Sequence, residues 1–119
     1  MQITSMTPRL SVTNPDKSID FYREALRAVL DERYVDDGRV VHAALSISGF
    51  SLSIAAEVAE WGLLAPTTLG GSAVLVTLEV NDAREVAERM AANGARVLVP
   101  IEDRPYGRCE GRIVDPFGH

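Results

Sequence analysis

The chain has a single cysteine, Cys109, among its 119 residues, so no disulfide can form within it. His42 and His119 are its only imidazoles. No apolar run approaches the ~18 residues a membrane span requires, and the N-terminus lacks the charged-then-apolar pattern of a secretory signal. A reducing cytoplasm is therefore the expected compartment, with no membrane partner. With no histidine partner evident for it, Cys109 reads as structural rather than nucleophilic. Basic residues number 12 against 17 acidic ones, a net charge of −5, with no basic stripe. That balance argues against a nucleic-acid partner and is compatible with cationic small ligands. A phosphate loop is also missing, because Gly70-Gly71 precedes a strand-like run instead of joining a strand to a helix.

What remains is an ordinary globular composition, 46% apolar and 24% charged, of a size that builds one core. Alternation over residues 7–13 predicts a half-buried strand. Asn14-Pro15 then supplies a helix cap and a proline at the first helical position. Ile19, Tyr22 and Leu26, flanked by Phe21 and Ala25, form the apolar stripe of that helix. Strands are expected at 28–35, 39–48 and 50–56, joined by Asp37-Gly38 and Ser48-Gly49 turns. In the second of these, Val41, Ala43, Leu45 and Ile47 are expected on the core face. Residues 57–71, with Trp61, Pro66, Gly70 and Gly71, read as a linker or loop with room for one helical turn.

The order then restarts. Val74, Val76, Leu78 and Val80 predict a strand, and Asp82 with Glu85 resembles a capping box. Ala83, Val86, Ala87 and Met90 give an apolar stripe that Asn93-Gly94 stops, and strands are expected at 95–101 and 107–114. Setting Val12–Leu26 beside Val80–Gly94 puts strand, cap, helix and stop in register. The expected fold class is α+β: tandem βαβββ modules in a curved mixed sheet, helices on the convex face, the second module lacking its last strand. Residues 1–119 are read as a single domain, with module one at about 5–56, the linker at 57–71 and module two at about 72–119. A missing last strand would leave a sheet edge in need of a partner or cover.

The strand faces turned away from the helices should line a groove. By alternation this face displays Thr7, Arg9, Ser11, His42, Ala44, Ser46, Ser51, Ser53, Ala55, Leu75, Thr77 and Glu79, joined by Tyr106, Arg108, Glu110 and Arg112. Most of these are small or neutral polar residues, as a ligand cavity requires; a solvated or dimer-covered face is the competing reading. The candidate ligand-binding residues are Arg9, His42, Ser53, Trp61, Glu79, Tyr106 and Arg108. His42 serves as a hydrogen-bonding group or, if Glu79 or Glu110 orients it, as a general base; a packed histidine is the alternative. Trp61 either stacks on a planar ligand at the groove mouth or anchors the linker. Arg108 is either a ligand contact or a solvated strand charge.

Two short stretches carry a family likeness: Ser18-Ile19-Asp20-Phe21-Tyr22 after Leu10-Ser11-Val12, and Asp115-Pro116-Phe117-Gly118-His119. With Val80-Asn81-Asp82 and Gly94-Ala95 they make the chain resemble the vicinal oxygen chelate superfamily, which includes glyoxalase I, bleomycin-resistance proteins, fosfomycin-resistance enzymes and extradiol dioxygenases. The spacing of Pro66, Gly70-Gly71 and Tyr106-Gly107 most resembles the glyoxalase/bleomycin-resistance-like branch. The resemblance implies paired modules around a cavity, commonly in homodimers, and in the enzymes a divalent metal held by His, Glu or Gln. Aligned on these motifs, the first three ligand positions fall on Thr7, Ser53 and Leu75, and the fourth beyond His119. His119 is expected as a turn residue of its motif. The expectation is a homodimer that sequesters a drug-like organic ligand, with no metal or other cofactor and no catalytic residue assigned. The alternatives are a metal-dependent or His42-based glyoxalase-like lyase or dioxygenase, and a module kept only for dimerisation or regulation.

Overall fold

A computed structural model describes all residues from Met1 to His119. Module one begins with β1 (Arg9–Val12), α1 (Pro15–Leu26), β2 (Val29–Asp36), β3 (Arg39–Ile47) and β4 (Phe50–Ala56). These strands form one mixed sheet in the order β1-β4-β3-β2, with β1 parallel to β4 and the other pairs antiparallel. The local signals account for the boundaries. The Asn14 side chain accepts from the Lys17 amide at 3.2 Å, and Pro15 opens the helix. Asp37 and Gly38 both have positive φ, as do Ser48 and Gly49, which is what tight two-residue hairpin turns require.

One face prediction fails in β3. Val40 is 7% exposed and belongs to the core, whereas Val41 is 39% exposed. The β2–β3 register slips between Tyr34 and Val35, so the alternation set by Ala43 and Leu45 does not carry through to Val41. Leu10, Val12, Ala43, Leu45, Leu52 and Ile54 of the sheet pack on Ile19, Phe21, Tyr22 and Ala25 of α1 to make the core.

The linker, read as having room for one helical turn, holds two short ones: a 3-10 turn at Ala59–Trp61 and α2 (Pro66–Leu69). Glu57 ties it down, its carboxylate accepting from the Ala65 amide at 3.1 Å and the Thr68 hydroxyl at 2.8 Å. Next come α3 (Ala83–Ala92), capped by Asp82, then β5 (Arg96–Asp103) and β6 (Cys109–Val114). The strand expected over 73–80 does not form: these residues pair with nothing, and Val74, Val76, Leu78 and Val80 are exposed. Alternation supplies a strand with a face but not with a partner edge. In module one β1 pairs only with β4, and residues 72–119 hold no equivalent of β4. Consequently β5 and β6 form a separate two-stranded antiparallel sheet. The fold is α+β, with a curved mixed sheet and few helices.

The two modules are joined through the residues that carried the family likeness. Asp115 is 5% exposed; one of its oxygens accepts from the Phe117 and His119 amides at 2.9 and 2.8 Å, and the other takes the buried Tyr22 hydroxyl. The His119 ring reaches the Ser11 carbonyl at 3.0 Å through Nε2, which fixes Nε2 as the protonated nitrogen. Phe117 meets Phe21 edge-on with centroids 6.0 Å apart. Arg89 of α3 donates to the Glu24 and Ala25 carbonyls at 2.8 and 3.2 Å, satisfying the C-terminal end of α1. His119 is thus a structural residue, as the motif suggested, and the two signatures are halves of one latch.

Candidate functional site

On the side of the module-one sheet away from α1, Thr7, Arg9, Asp31, His42, Ala44, Ser51 and Ser53 surround an open cavity of about 290 Å³ whose floor includes Leu45 and Leu52. Strand register explains why three of the candidate side chains meet. Arg9 on β1 lies directly beside Ser53 on β4, and Ser53 faces Ala44 on β3. His42 stands two residues along β3 on the same face, within diagonal reach of Ser53. Ser53 is 6% exposed, the most enclosed polar group of the cluster.

The hydrogen bonds form a closed triangle. Arg9 Nε donates to Ser53 Oγ at 3.3 Å, Arg9 Nη2 contacts His42 Nε2 at 3.1 Å, and Ser53 Oγ lies 2.6 Å from the same Nε2. Guanidinium is a donor only, so His42 Nε2 must be an acceptor and the imidazole is neutral, with its proton on Nδ1. Ser53 is then both acceptor from Arg9 and donor to His42. The imidazole is also held below its ordinary pKa, first by desolvation and then by the Arg9 charge, with Glu32 opposing. Tyr34 covers the ring, centroids 5.2 Å apart and tilted by 30°, and its hydroxyl is bound to Glu32. No carboxylate pairs with Arg9; the ion pairs of the structure are Arg33–Asp16, Arg84–Asp103, Arg104–Glu102 and Arg108–Glu79.

The other candidates lie elsewhere. Glu79 and Arg108 pair with each other at 3.2 Å, both largely exposed, and Tyr106 donates to Glu110. Neither Glu79 nor Glu110 contacts His42, so neither orients it as a base; both side-chain hydrogen bonds of His42 are made through Nε2. Trp61 is 75% exposed on the 3-10 turn and does not line the cavity, so it is not buried as a linker anchor either. Asp31 lines the cavity but was not anticipated. The β2–β3 register jumps from Leu30 to Glu32, so simple alternation gives no signal for its direction.

The donor set does not suit a divalent metal. Thr7 and Ser53, which the resemblance aligns with ligand positions, offer only neutral hydroxyls, Leu75 offers no donor and is exposed, and no three His, Cys, Asp or Glu side chains converge anywhere in the structure.

The comparisons agree with this architecture. The family model described as the Glyoxalase/Bleomycin resistance protein/Dioxygenase superfamily matches residues 3–119. An uncharacterized protein of Mycobacterium bovis is 36% identical over 119 residues, covering 97% of this chain and 78% of its own length. Among solved structures, a gene product of Arabidopsis thaliana aligns at a TM-score of 0.77 and 22% identity, over 98% of this chain and 94% of its own. A mutant of the fosfomycin resistance protein FosX from Listeria monocytogenes, complexed with Mn(II) and 1S,2S-dihydroxypropylphosphonic acid, aligns at 0.71 and 18% identity, over 99% and 86%. At these identities the solved structures speak for the fold alone.

Proposed function

The chain belongs to the Glyoxalase/Bleomycin resistance protein/Dioxygenase superfamily, and on that premise we propose that it is a small-molecule-binding protein that sequesters a drug-like organic ligand without a resident metal. The observation that carries this reading is the groove itself. It is lined by Thr7, Arg9, His42, Ala44, Ser51 and Ser53, and the resemblance aligns two of its hydroxyl residues, Thr7 and Ser53, with metal-ligand positions of the superfamily's enzymes. About 290 Å³ is at the small end of ligand cavities, so one chain's groove holds a small molecule or one end of a larger one. A homodimer, with a second copy covering the groove and the exposed apolar residues of 74–80, is the assembly that best supports sequestration. Antibiotic resistance by sequestration is the biological role proposed, in the cytoplasm; no helix is long and apolar enough to cross a membrane.

One observation favours a second reading. Ser53 Oγ lies 2.6 Å from the neutral imidazole of His42, so a bound molecule that displaces the Ser53 hydroxyl from Nε2 meets a general base there, in a metal-free lyase-like reaction. Elemental analysis of protein purified without chelator separates the proposal from metal-dependent enzymes. The proposal expects substoichiometric metal; a stoichiometric divalent ion that survives gel filtration overturns it. Thermal-shift screening against cationic glycopeptides, polyketides and 2-oxoaldehydes follows, and turnover of a 2-oxoaldehyde would favour the second reading.

A further inference from the structure

The Arg9–Ser53–His42 triangle has an internal imbalance. Arg9 Nη2 and the Ser53 hydroxyl both approach one lone pair of His42, at 3.1 and 2.6 Å, while the guanidinium has no anionic partner. Guanidinium reaches its strong interactions with oxyanions, bidentately, and a neutral ring nitrogen shared with a hydroxyl is a poor substitute. We propose that Arg9, Ser53 and His42 are the receptor for one oxyanion, a carboxylate or a phosphate-type group, on the organic molecule bound in the groove. This deepens the binding-protein reading and rests on it.

An oxyanion placed between Arg9 and His42 takes the Arg9 donors and the Ser53 hydroxyl and leaves the imidazole without its two donors. His42 then gains from taking a proton from solvent, since imidazolium donates through Nε2 to the anion. The groups facing His42 modulate this. Arg9 on β1 disfavours the protonated ring, Glu32 on β2 favours it, and Ser53 on β4 and Tyr34 on β2 are neutral contacts. Asp31 on β2 also lines the cavity and repels an incoming anion. The free protein thus holds His42 neutral and the complex holds it charged, so affinity rises as pH falls through the imidazole range.

The test follows the His42 ring by NMR while the wild-type chain is titrated with benzoate and with phenylphosphonate, using benzyl alcohol as the neutral control. The carboxylate and phosphonate arms distinguish the two oxyanion types. His119, whose Nε2 donates to the Ser11 carbonyl, is the internal reference. At saturation with at least one anion, the midpoint of the His42 titration is expected to rise by about one pH unit, while the His119 ring resonances at fixed pH are not moved by the anion. Arg9→Gln is expected to lose about tenfold in affinity and most of the shift, and Asp31→Asn to gain affinity. A His42 midpoint unmoved by saturating anion, or an equal shift in Arg9→Gln, overturns the receptor. If benzyl alcohol binds in the groove as well as the anions do, the receptor falls and the binding-protein reading stands. If no probe perturbs the groove, both fall.

Discussion

The latch between modules gives a prediction whose size follows from counted groups. Asp115 is 5% exposed and accepts from three donors, the Tyr22 hydroxyl and the amides of Phe117 and His119. Tyr22→Phe removes one charge-assisted hydrogen bond and leaves the carboxylate two amide donors, a loss of about 2 kcal/mol. Asp115→Ala leaves a buried hydroxyl and two turn amides unsatisfied; the turn amides regain water more easily, so the expected loss is about 3–5 kcal/mol. Against a total stability of about 5–15 kcal/mol for a domain of this size, the second variant sits near the unfolding threshold. In a Tyr22→Phe background Asp115→Ala has no hydroxyl to strand, so the two changes should be sub-additive by about 1–2 kcal/mol. Urea unfolding of the four proteins measures this, with fluorescence of Trp61 and far-ultraviolet circular dichroism as probes. Additivity within about 0.5 kcal/mol would refute the claim that Tyr22 and Asp115 form one energetic unit.

Further outcomes follow from other positions. A Cβ at Gly111 would clash with the Val99 carbonyl oxygen and lie 2.7 Å from that of Pro100, so Gly111→Ala should disrupt β5–β6 pairing and lower stability by about 2 kcal/mol or more, visible in the denaturation midpoint. The Tyr22 phenol is pushed up from its ordinary value by burial and by Asp115, so the protonated form is favoured in the folded state. Its contribution to stability is full below the unfolded phenol's pKa near 10 and is lost as pH rises beyond it; Tyr22→Phe should therefore flatten the loss of stability measured between pH 9 and 11. Trp61→Ala, at an exposed side chain outside the cavity lining, should change unfolding free energy by less than about 0.5 kcal/mol and leave benzoate affinity unchanged; a weakened affinity would put Trp61 back into the site.

Local chemistry was the legible part of this sequence. Asn14-Pro15, Asp37-Gly38, Ser48-Gly49 and Asp82 each act within a few residues of themselves, and helices and hairpins form where they point. Two failures share a cause. Residues 73–80 have a strand's alternation but no neighbouring edge, and Val41 has the right parity but follows a register slip; both depend on a partner strand that one strand's sequence does not describe. Parity on adjacent strands was enough to group Arg9, His42 and Ser53, because alternation fixes faces and the register sets them side by side. It did not separate them from Glu79, Tyr106 and Arg108, which occupy module two, or from Trp61 on its turn. The signatures around Tyr22 and Asp115 were visible as family marks, but their pairing spans 93 positions and needed the tertiary structure.

The most direct test of metal-free binding in the module-one groove is an amide NMR map of the chelator-stripped protein titrated with benzoate and phenylphosphonate. The expected map shows perturbations concentrated at Thr7, Arg9, His42, Ala44 and Ser53, unchanged when Zn²⁺ or Mn²⁺ is added back. Binding that appears only after a divalent ion is restored, or perturbations centred on Glu79 and Arg108 instead, would contradict it.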